Sequence, residues 1–430
     1  MKKYIYVFAA FAAIVSCSKE NTVNEENNLD ANSKKDVHEL FVTISDLTDA
    51  DTKATIAEAD GTFTWTAGDA IAVKTTTNDV YEFTAETGGS ASARFTYTGE
   101  MNGTPAYVKY PYTADFSDTA LPTSISGLTT ALTAANIRME GTITDNAVTL
   151  THQNALLKVS FTNVPTFASK VSFVSTATGY EQNITVSGIS LGSKGNVVAY
   201  IPVKPGSYSF SVNLIDSADN TMISKTTASA KTFTAGTLKK MTAIPLGTLV
   251  MMSNAGGSYG GFSKMKVYNW WDGGSHNLTS PLSQITISAT VYGYYFLPAD
   301  LSEGKEVNIK VENGDDSSKN TQTVVYNLRD FTFTIKSGDG GIATTYRYYF
   351  NNTGSWSQIN AYIWDEYDTA KNGSWPGGKL TLTASNGWYY YQFVEGDYGY
   401  TRHVKFSDNG GTTGGDHNNK NVYRDWYFTD

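Results

Sequence analysis

The sequence predicts an all-β protein, and three observations carry this prediction. Short runs in which apolar and polar residues alternate recur along the chain, as in strands with one buried face. Clusters of Gly, Asn and Asp separate these runs and are typical of turns. No segment has the 3.6-residue apolar period of an amphipathic helix. The 430 residues are enough for about three domains at ~100–200 residues each.

The chain starts with features of a bacterial lipoprotein. Residues 1–16 combine two lysines with the apolar run Tyr4–Val15, which is too short to span a bilayer as a helix. The stretch Ile14-Val-Ser-Cys17 resembles a bacterial lipobox, which implies cleavage before Cys17 and lipidation of that residue. Cys17 is the only cysteine, so no disulfide framework competes for it. An ordinary cleaved signal peptide is the alternative interpretation.

A polar segment follows the lipidated cysteine and completes residues 17–37. It is rich in Asn, Glu and Asp, and this composition predicts a disordered tether. The resemblance to a lipobox implies a lipid anchor, and we expect the anchored protein at the outer membrane, facing the cell exterior. The formal net charge of −9, without basic clusters, argues against nucleic acid or an anionic membrane surface as a partner.

The region 38–248 is rich in Thr and Ser and holds several short runs with strand character. These runs predict either one β-sandwich or two smaller ones stacked together. The strand candidates are Leu40–Ile44, Thr62–Trp65, Ala70–Val73, Leu156–Phe161, Val197–Val203 and Tyr208–Val212.

Four motifs in this region resemble the fimbrillin-like lipoproteins of Gram-negative bacteria. They are Thr52–Thr55, Thr64–Val73, His152–Val159 and Ala235–Lys239. The resemblance implies an extracellular β-sandwich of the kind found in pilus subunits and surface adhesins. Pilins that an arginine-specific protease processes need an arginine early in the chain, whereas the first arginine here is Arg94. We therefore expect a spacer or an adhesin stalk rather than a polymerising subunit.

A different set of motifs begins with the predicted strand Gln358–Glu366, whose side chains should alternate between two faces. The aliphatic face holds Ile359, Ala361 and Ile363, and the other face holds Asn360, Tyr362 and Trp364. Trp375 follows in a predicted loop. Flat aromatic rings suit the apolar faces of pyranose sugars, so the three large rings are candidates for a sugar platform. Packing of the rings beneath a loop is the alternative.

Residues 343–430 resemble carbohydrate-binding module family 26. The segments that carry the resemblance are Tyr348–Trp356, Ala361–Trp364, Gly373–Gly377 and Gly387–Tyr391. The resemblance implies a β-sandwich that binds starch, with ligand aromatics at the positions of Tyr362, Trp364 and Trp375. The candidate polar contacts are Gln358, Asn360, Glu366 and Lys405.

Residues 250–336 are predicted to be a degenerate copy of the same module. The stretch Lys264–Trp270 aligns with Gln358–Trp364 at an offset of 358 − 264 = 94 residues. The alignment places Tyr268 and Trp270 at the positions of the two strand aromatics, so these two residues are further candidates for contact with carbohydrate.

The degenerate copy departs from the C-terminal one at the third ring. Where the C-terminal copy continues with Trp375-Pro-Gly, the first has Ser280-Pro-Leu-Ser, so Trp271 or Tyr292 would have to supply the missing ring. Whether this copy binds sugar or only spaces its neighbour is left open. The stretch Lys336–Gly341 is predicted to be a short flexible linker between the copies.

No catalytic or metal-binding arrangement stands out in the sequence. The five histidines are scattered without the ligand spacing of a metal site. The pair Asp365-Glu366 raises the alternative of a glycosidase, which needs two carboxylates about 5–10 Å apart across a cleft. Asp315 and Asp316 are typical of solvated turn acids rather than calcium ligands. We expect no catalysis, no cofactor and no metal.

Together these features predict a cell-surface lipoprotein that binds starch or related α-glucans through aromatic stacking. Other surface proteins of glycan uptake are a further expected class of partner. The alternative is a fimbrillin-type adhesin or pilus accessory protein that binds another glycan or a protein.

Overall fold

The computed structural model describes residues 36–429 except 50–63, 127–136, 255–260, 277, 280–281, 302–304, 322, 328, 337–341, 353–355, 365–368, 371, 383–387, 395–400, 412 and 422–425. Within the described ranges every regular element is a strand, which confirms the all-β prediction. No helix of these ranges is long and apolar enough to cross a membrane. The predicted signal segment, Cys17 and nearly all of the predicted tether lie outside the described residues.

The first unit of the fold is a closed barrel. Its seven strands follow the order β1-β5-β4-β3-β6-β8-β9, and the parallel pairing of β1 with β9 closes it. The strands of this part of the chain are β1 (Val37–Ile44), β2 (Thr48–Asp49), β3 (Ala70–Thr75), β4 (Val80–Ala85), β5 (Ser92–Thr98), β6 (Pro105–Tyr110), β7 (Ser124–Ser126), β8 (Met139–Thr142) and β9 (Ala147–His152).

The predicted strand at Thr62–Trp65 is not observed in its described part, Thr64 and Trp65. Residues 62–63 lie outside the described ranges, and Thr64 and Trp65 belong to no strand. The Trp65 side chain is buried in the barrel, where its ring meets the rings of Phe95 and Tyr110 edge-on at 4.8 and 5.0 Å. The Trp65 side chain therefore packs in the barrel core, and the residue is not part of a strand.

A β-sandwich follows the barrel. One sheet has the order β13-β10-β18-β2 with β19 beside β10, and the other has the order β16-β15-β11-β12-β7. Because β2 and β7 come from the barrel part of the chain, each sheet ties the two units together. The remaining strands are β10 (Ala155–Val164), β11 (Ala168–Ser175), β12 (Gln182–Ser187), β13 (Gly195–Val203), β14 (Gly206–Tyr208), β15 (Ser211–Asp216), β16 (Thr221–Thr226), β17 (Lys231–Phe233), β18 (Thr237–Lys240) and β19 (Ile244–Pro245).

The first of the two predicted module copies also consists of strands alone. They are β20 (Leu249–Asn254), β21 (Met265–Trp271), β22 (Gly274–Ser275), β23 (Leu278–Thr279), β24 (Ser283–Ile287), β25 (Thr290–Phe296), β26 (Glu306–Asn313), β27 (Asp316–Asn320), β28 (Val324–Asn327) and β29 (Phe331–Ile335). Strands β21, β22, β23, β26, β27 and β28 form the outer sheet of this copy.

The C-terminal copy repeats this order. Its strands are β30 (Ile342–Asn351), β31 (Ile359–Trp364), β32 (Gly378–Lys379), β33 (Thr381–Leu382), β34 (Trp388–Val394), β35 (Thr401–Asp408), β36 (Thr413–Asn421) and β37 (Trp426–Thr429). Strands β32-β31-β35-β36 form its outer sheet. In both copies the first strand pairs antiparallel with a later strand and parallel with the last one, β20 with β25 and β29, and β30 with β34 and β37.

The two copies share one sheet and one core. The sheet runs β24-β25-β20-β29-β30-β34-β33, with β37 also beside β30, and β29 meets β30 in the antiparallel register Phe333↔Thr344 to Ile335↔Ile342. A single apolar cluster contains residues of both copies. Residues 337–341 of the predicted flexible linker lie outside the described residues, but the strands on either side of them pair directly. The two copies therefore form one continuous folded unit rather than two domains joined by a flexible linker.

The first copy packs against the sandwich through the other face of the shared sheet. Tyr294 and Met251 project from this face into a small cluster with Phe167 of the sandwich. The Tyr294 hydroxyl donates a hydrogen bond of 2.7 Å to the fully buried carboxylate of Asp216. Burial raises the pKa of Tyr294, and the hydrogen bond to Asp216 raises it further, so the hydroxyl keeps the proton that it donates.

Candidate functional site

The candidate site is built on strand β31, where the predicted alternation of faces is observed. Ile359, Ala361 and Ile363 are buried in the shared core. Tyr362 and Trp364 are half-buried on the outward face. Their rings lie nearly parallel, with centroids 5.5 Å apart and planes 27° apart.

Trp375 supplies a second orientation of ring beside this pair. Its ring meets that of Tyr362 at 5.5 Å and 71°, and 42% of the residue is exposed. Its indole Nε1 lies near Gly410, where a Cβ would lie 3.3 Å from it. Trp375 thus stands as a wall beside the two strand rings, close to the backbone at Gly410.

The loop that carries Trp375 is fastened to β31 by its own polar groups. The Asn372 side chain donates to the carbonyl oxygen of Ala361 at 2.7 Å and accepts from the amide of Ile363 at 2.9 Å. Gly377 closes the loop by donating from its amide to the Ser374 carbonyl at 2.8 Å. These contacts fix Trp375 against a strand whose other face is core, so the site is largely formed before any ligand arrives.

The neighbouring strand β35 adds a ring that the sequence analysis missed. His403 lies opposite Trp364 in the register, and its imidazole stacks on the indole at 5.3 Å and 17°. Trp364 therefore has a ring on each of two sides, Tyr362 along its own strand and His403 across the strand pair. The pairing of β31 with β35 is what brings His403 here, and no local pattern in the sequence signals that pairing.

The structure places the polar residues that were candidates for ligand contact in different environments. Asn360 was expected on the outward face, but it is only 4% exposed. Its amide donates to the Gly377 carbonyl at 3.3 Å and accepts from the amide of Gln358 at 3.1 Å, so it supports the loop from below instead of facing a ligand. Lys405 is half-buried opposite Tyr362. Glu366 lies outside the described residues.

The first copy presents its aromatic pair in the same way. On β21, Met265 and Val267 are buried, whereas Tyr268 and Trp270 are half-buried on the outward face. The Tyr268 hydroxyl donates to the carboxylate of Glu312 at 3.3 Å.

The hairpin of the first copy is too short to carry a counterpart of Trp375. Strand β23 pairs with β21 as β32 pairs with β31. Only residues 272–277 separate the first pair of strands, whereas residues 365–377 separate the second. Trp375 lies in this longer connection, so the alignment of Ser280-Pro-Leu-Ser with Trp375-Pro-Gly was wrong: the former follows the short strand and the latter precedes it.

Neither proposed substitute supplies the missing ring. Trp271 is buried and stacks on His276 with centroids 3.7 Å apart. Tyr292 packs toward the cluster at the sandwich junction. The outward surface of the first copy therefore rests on Tyr268 and Trp270.

The rings of the C-terminal site can stack on the apolar faces of a ligand. Rings at two orientations can cover the apolar faces of sugar rings that are not coplanar. Within the described part of the chain, no group of three or more His, Cys, Asp or Glu residues is placed to hold a metal ion.

The C-terminal copy is thus a β-sandwich with a half-buried aromatic pair and one exposed ring on an outer face. Residues 348–419 match the family model described as starch-binding module 26, CBM26, which confirms the resemblance of the C-terminal copy. This family is a class of non-catalytic binding modules. The matched range lies within the C-terminal copy and includes all four rings of the site.

Solved structures with similarity to the chain include the following three. The module CBMbc (family CBM26) of Amy13K from Eubacterium rectale, in complex with maltoheptaose, is 14% identical over 43% of this chain and 92% of that chain, with a TM-score of 0.22. A streptococcal virulence factor, described by its alpha-glucan binding, is 10% identical over 43% and 93%, with a TM-score of 0.24. A putative cell adhesion protein from Bacteroides ovatus is 16% identical over 49% and 91%, with a TM-score of 0.30. Comparison with the curated proteins found no match.

Proposed function

We propose that the protein binds starch or related α-glucans through Tyr362, Trp364 and Trp375. The observation that carries this proposal is the non-coplanar set of rings within the matched range 348–419. Glucose units along an α-1,4-glucan turn relative to one another, so a curved chain needs rings at more than one orientation. A flat row would suit a flat chain such as cellulose.

The site should hold its ligand by several weak contacts. Each aromatic stacking contact contributes about 0.5–1.5 kcal/mol beyond the area that it buries. The proposal therefore expects modest affinity for short oligosaccharides and a large share of that affinity at the most exposed ring, Trp375.

The direct test is retention of the full chain on insoluble starch, with Trp375→Ala beside the wild type. Loss of the indole should weaken retention roughly tenfold, since about 1.4 kcal/mol corresponds to a factor of ten. The full chain is needed because residues 343–430 alone would lose β29 from the edge of β30 and part of the shared core.

The matched control is Phe41→Ala. Phe41 is a large ring on the barrel and is 59% exposed, so its removal tests whether any exposed aromatic promotes adhesion to starch. Equal retention of wild type and Trp375→Ala would contradict the proposal. Binding only to non-glucan ligands in a panel of soluble glycans would favour the adhesin alternative.

We further propose that the protein is a lipoprotein held at the outer membrane by Cys17 and exposed to the cell exterior. The basis is the lipobox-like stretch Ile14–Cys17 and the polar segment after it. Metabolic labelling with a fatty-acid analogue should modify the wild type and leave Cys17→Ser unlabelled. Protease added to intact cells should remove the protein if it faces outward, and an unlabelled wild type would overturn the lipid anchor.

A further inference from the structure

We propose that Tyr268 and Trp270 form a second glucan-contacting surface on the same face of the protein as the C-terminal site. The two surfaces would together bind a ligand that presents many α-glucan chains side by side. The inference rests on the proposed function of the C-terminal site and adds the class of ligand, which is a packed polysaccharide surface rather than a short soluble chain.

The two surfaces are equivalent in the strand positions of their residues. Tyr268 lies opposite Lys310 on β26, as Tyr362 lies opposite Lys405 on β35. In both copies the two outward aromatics are half-buried and separated by a single buried residue of the strand. The first copy thus keeps the pair of strand rings and the neighbouring lysine, and it lacks the Trp375 wall.

The outer sheets of the two copies lie on the same face of the shared sheet. Residues directly opposite each other in an antiparallel pair project to the same face of the sheet. Ile335 of β29 lies opposite Ile342 of β30, and both side chains belong to the common core. The outer sheets of both copies must therefore cover the same face of the shared sheet.

It follows that both aromatic pairs face the same side of the molecule. Tyr268 and Trp270 point away from the core on one outer sheet, and Tyr362 and Trp364 do so on the other. The sandwich packs on the opposite face of the shared sheet, at the cluster that contains Tyr294. The two aromatic surfaces are thus turned away from the sandwich.

The two copies run in opposite directions along the shared sheet. Strand β20 runs parallel to β29, and β29 runs antiparallel to β30. The equivalent strands β20 and β30 therefore run in opposite directions, which relates the copies by about a half-turn around an axis perpendicular to the sheet. If both surfaces hold a glucan with the same polarity along the strand, the two bound segments run in opposite directions.

A short linear oligosaccharide does not present two segments of opposite direction, whereas a surface of many separate and branched chains can offer a different segment to each site. The shared core fixes the distance between the two surfaces, so the second contact becomes intramolecular once the first is made. Such coupling strengthens binding only when the ligand reaches both surfaces at once.

The test compares two probes, granular starch and maltoheptaose, with the full chain. The variant Tyr268→Ala/Trp270→Ala should lower retention on granules roughly tenfold. A second linked contact can strengthen binding by more than this factor, so a tenfold loss is a conservative expectation. Its affinity for maltoheptaose should stay at the wild-type value, because the C-terminal site is intact.

Two further variants separate this inference from the proposed function. Trp364→Ala/Trp375→Ala should lower binding to both probes, and Phe41→Ala should lower neither. Wild-type retention in a folded Tyr268→Ala/Trp270→Ala chain overturns the second surface and leaves the C-terminal site standing. Wild-type protein that binds neither probe overturns the proposed function itself. If the double variant melts below wild type, Trp270→Ala alone takes its place, with the same expected and opposing results.

Discussion

At Gly377 the backbone has a φ of +80°, and a Cβ on this residue would lie 2.1 Å from the carbonyl oxygen of Ala361. Real Cβ atoms do not approach backbone this closely, so any other residue must push the loop away from β31. Trp375 lies two positions earlier in the same loop. The position of the exposed ring therefore depends on a residue that has no side chain and no contact with a ligand.

We expect Gly377→Ala to weaken starch retention to the level of Trp375→Ala while the rest of the fold stays intact. The matched control is Gly373→Ala in the same loop, where φ is +97° but a Cβ meets nothing within 4 Å. In both variants alanine must adopt a left-handed backbone conformation, which costs about 1 kcal/mol. Only in Gly377→Ala does the new Cβ also clash with the carbonyl oxygen of Ala361. Equal retention by the two variants would show that the clash does not move Trp375.

The buried His152 should make the folding stability of the protein depend on pH. Its Nε2 donates to the Ser45 carbonyl at 3.1 Å, and burial lowers its pKa from the ordinary 6.5 to about 4. The unfolded chain therefore binds a proton between these values that the folded chain does not. Stability should be constant above pH 6.5 and fall as the pH drops toward 4, by about 3 kcal/mol in total.

Denaturant unfolding of wild type and His152→Gln across pH 4–7 checks this. Gln keeps a side-chain N–H donor near Ser45 and does not titrate, so the variant should show a flatter pH dependence over this range. An unchanged slope in the variant would assign the acid sensitivity to other groups.

Single residues of the site differ in how far the sequence could predict them. The exposure of Tyr362 and Trp364 follows from strand alternation, which is a local property of the chain. The burial of Asn360 does not, because it depends on a loop that returns over the strand. His403 could not be found either, since its place beside Trp364 is set by the pairing of two strands far apart in the sequence.

At the scale of elements, one shared sheet connects the two copies that the sequence predicts as separate domains. The repeat was predictable because the two copies keep the same order of strands. The junction was not, since alternation identifies strands without saying which of them pair. The stretch Lys336–Gly341, with its glycines, is typical of a linker, yet β29 and β30 on either side form a ladder.

The shared core predicts that the two copies unfold together. Phe333 is 1% exposed in the first copy and faces the common cluster. Phe333→Ala should cost about 3–5 kcal/mol and lower the temperature at which the C-terminal copy loses starch retention. Calorimetry should show one transition for residues 249–429 moving down while the barrel transition stays in place.

The control for this experiment is Phe83→Ala, which removes a buried ring from the barrel core. It should leave the temperature dependence of starch retention unchanged. Retention that is equally heat-stable in wild type and Phe333→Ala would mean that the C-terminal copy unfolds on its own.

At the scale of the whole molecule, the copies and the sandwich are locked together by polar and apolar contacts. Asp216 keeps two backbone hydrogen bonds of 2.8 Å from Ala218 and Asn220 in addition to that of Tyr294. On the surface, Lys194 of the sandwich forms an ion pair with Asp330 at 2.9 Å. That pair is exposed and contributes little, so the buried Tyr294 contact should dominate.

Tyr294→Phe should weaken the junction by about 1.5–3 kcal/mol, the range for a hydrogen bond to a charged group. The expected readouts are a lower melting temperature of the two copies and faster proteolysis near Gly247. The control is Tyr292→Phe on the same strand β25, which removes a hydroxyl and leaves the Asp216 contact. Equal proteolysis rates for the two variants would show that the hydrogen bond does not hold the junction closed.

The position of β20 in the shared sheet has a mechanical consequence. The strand begins at Leu249, directly after the junction, and is hydrogen-bonded along one edge to β25 and along the other to β29. A pull between the N-terminal half and a bound polysaccharide loads β20 along its own axis. The bonds on both edges then bear the force in shear and must break together rather than one after another. The attachment point of the two copies therefore resists tension through both hydrogen-bonded edges of one strand.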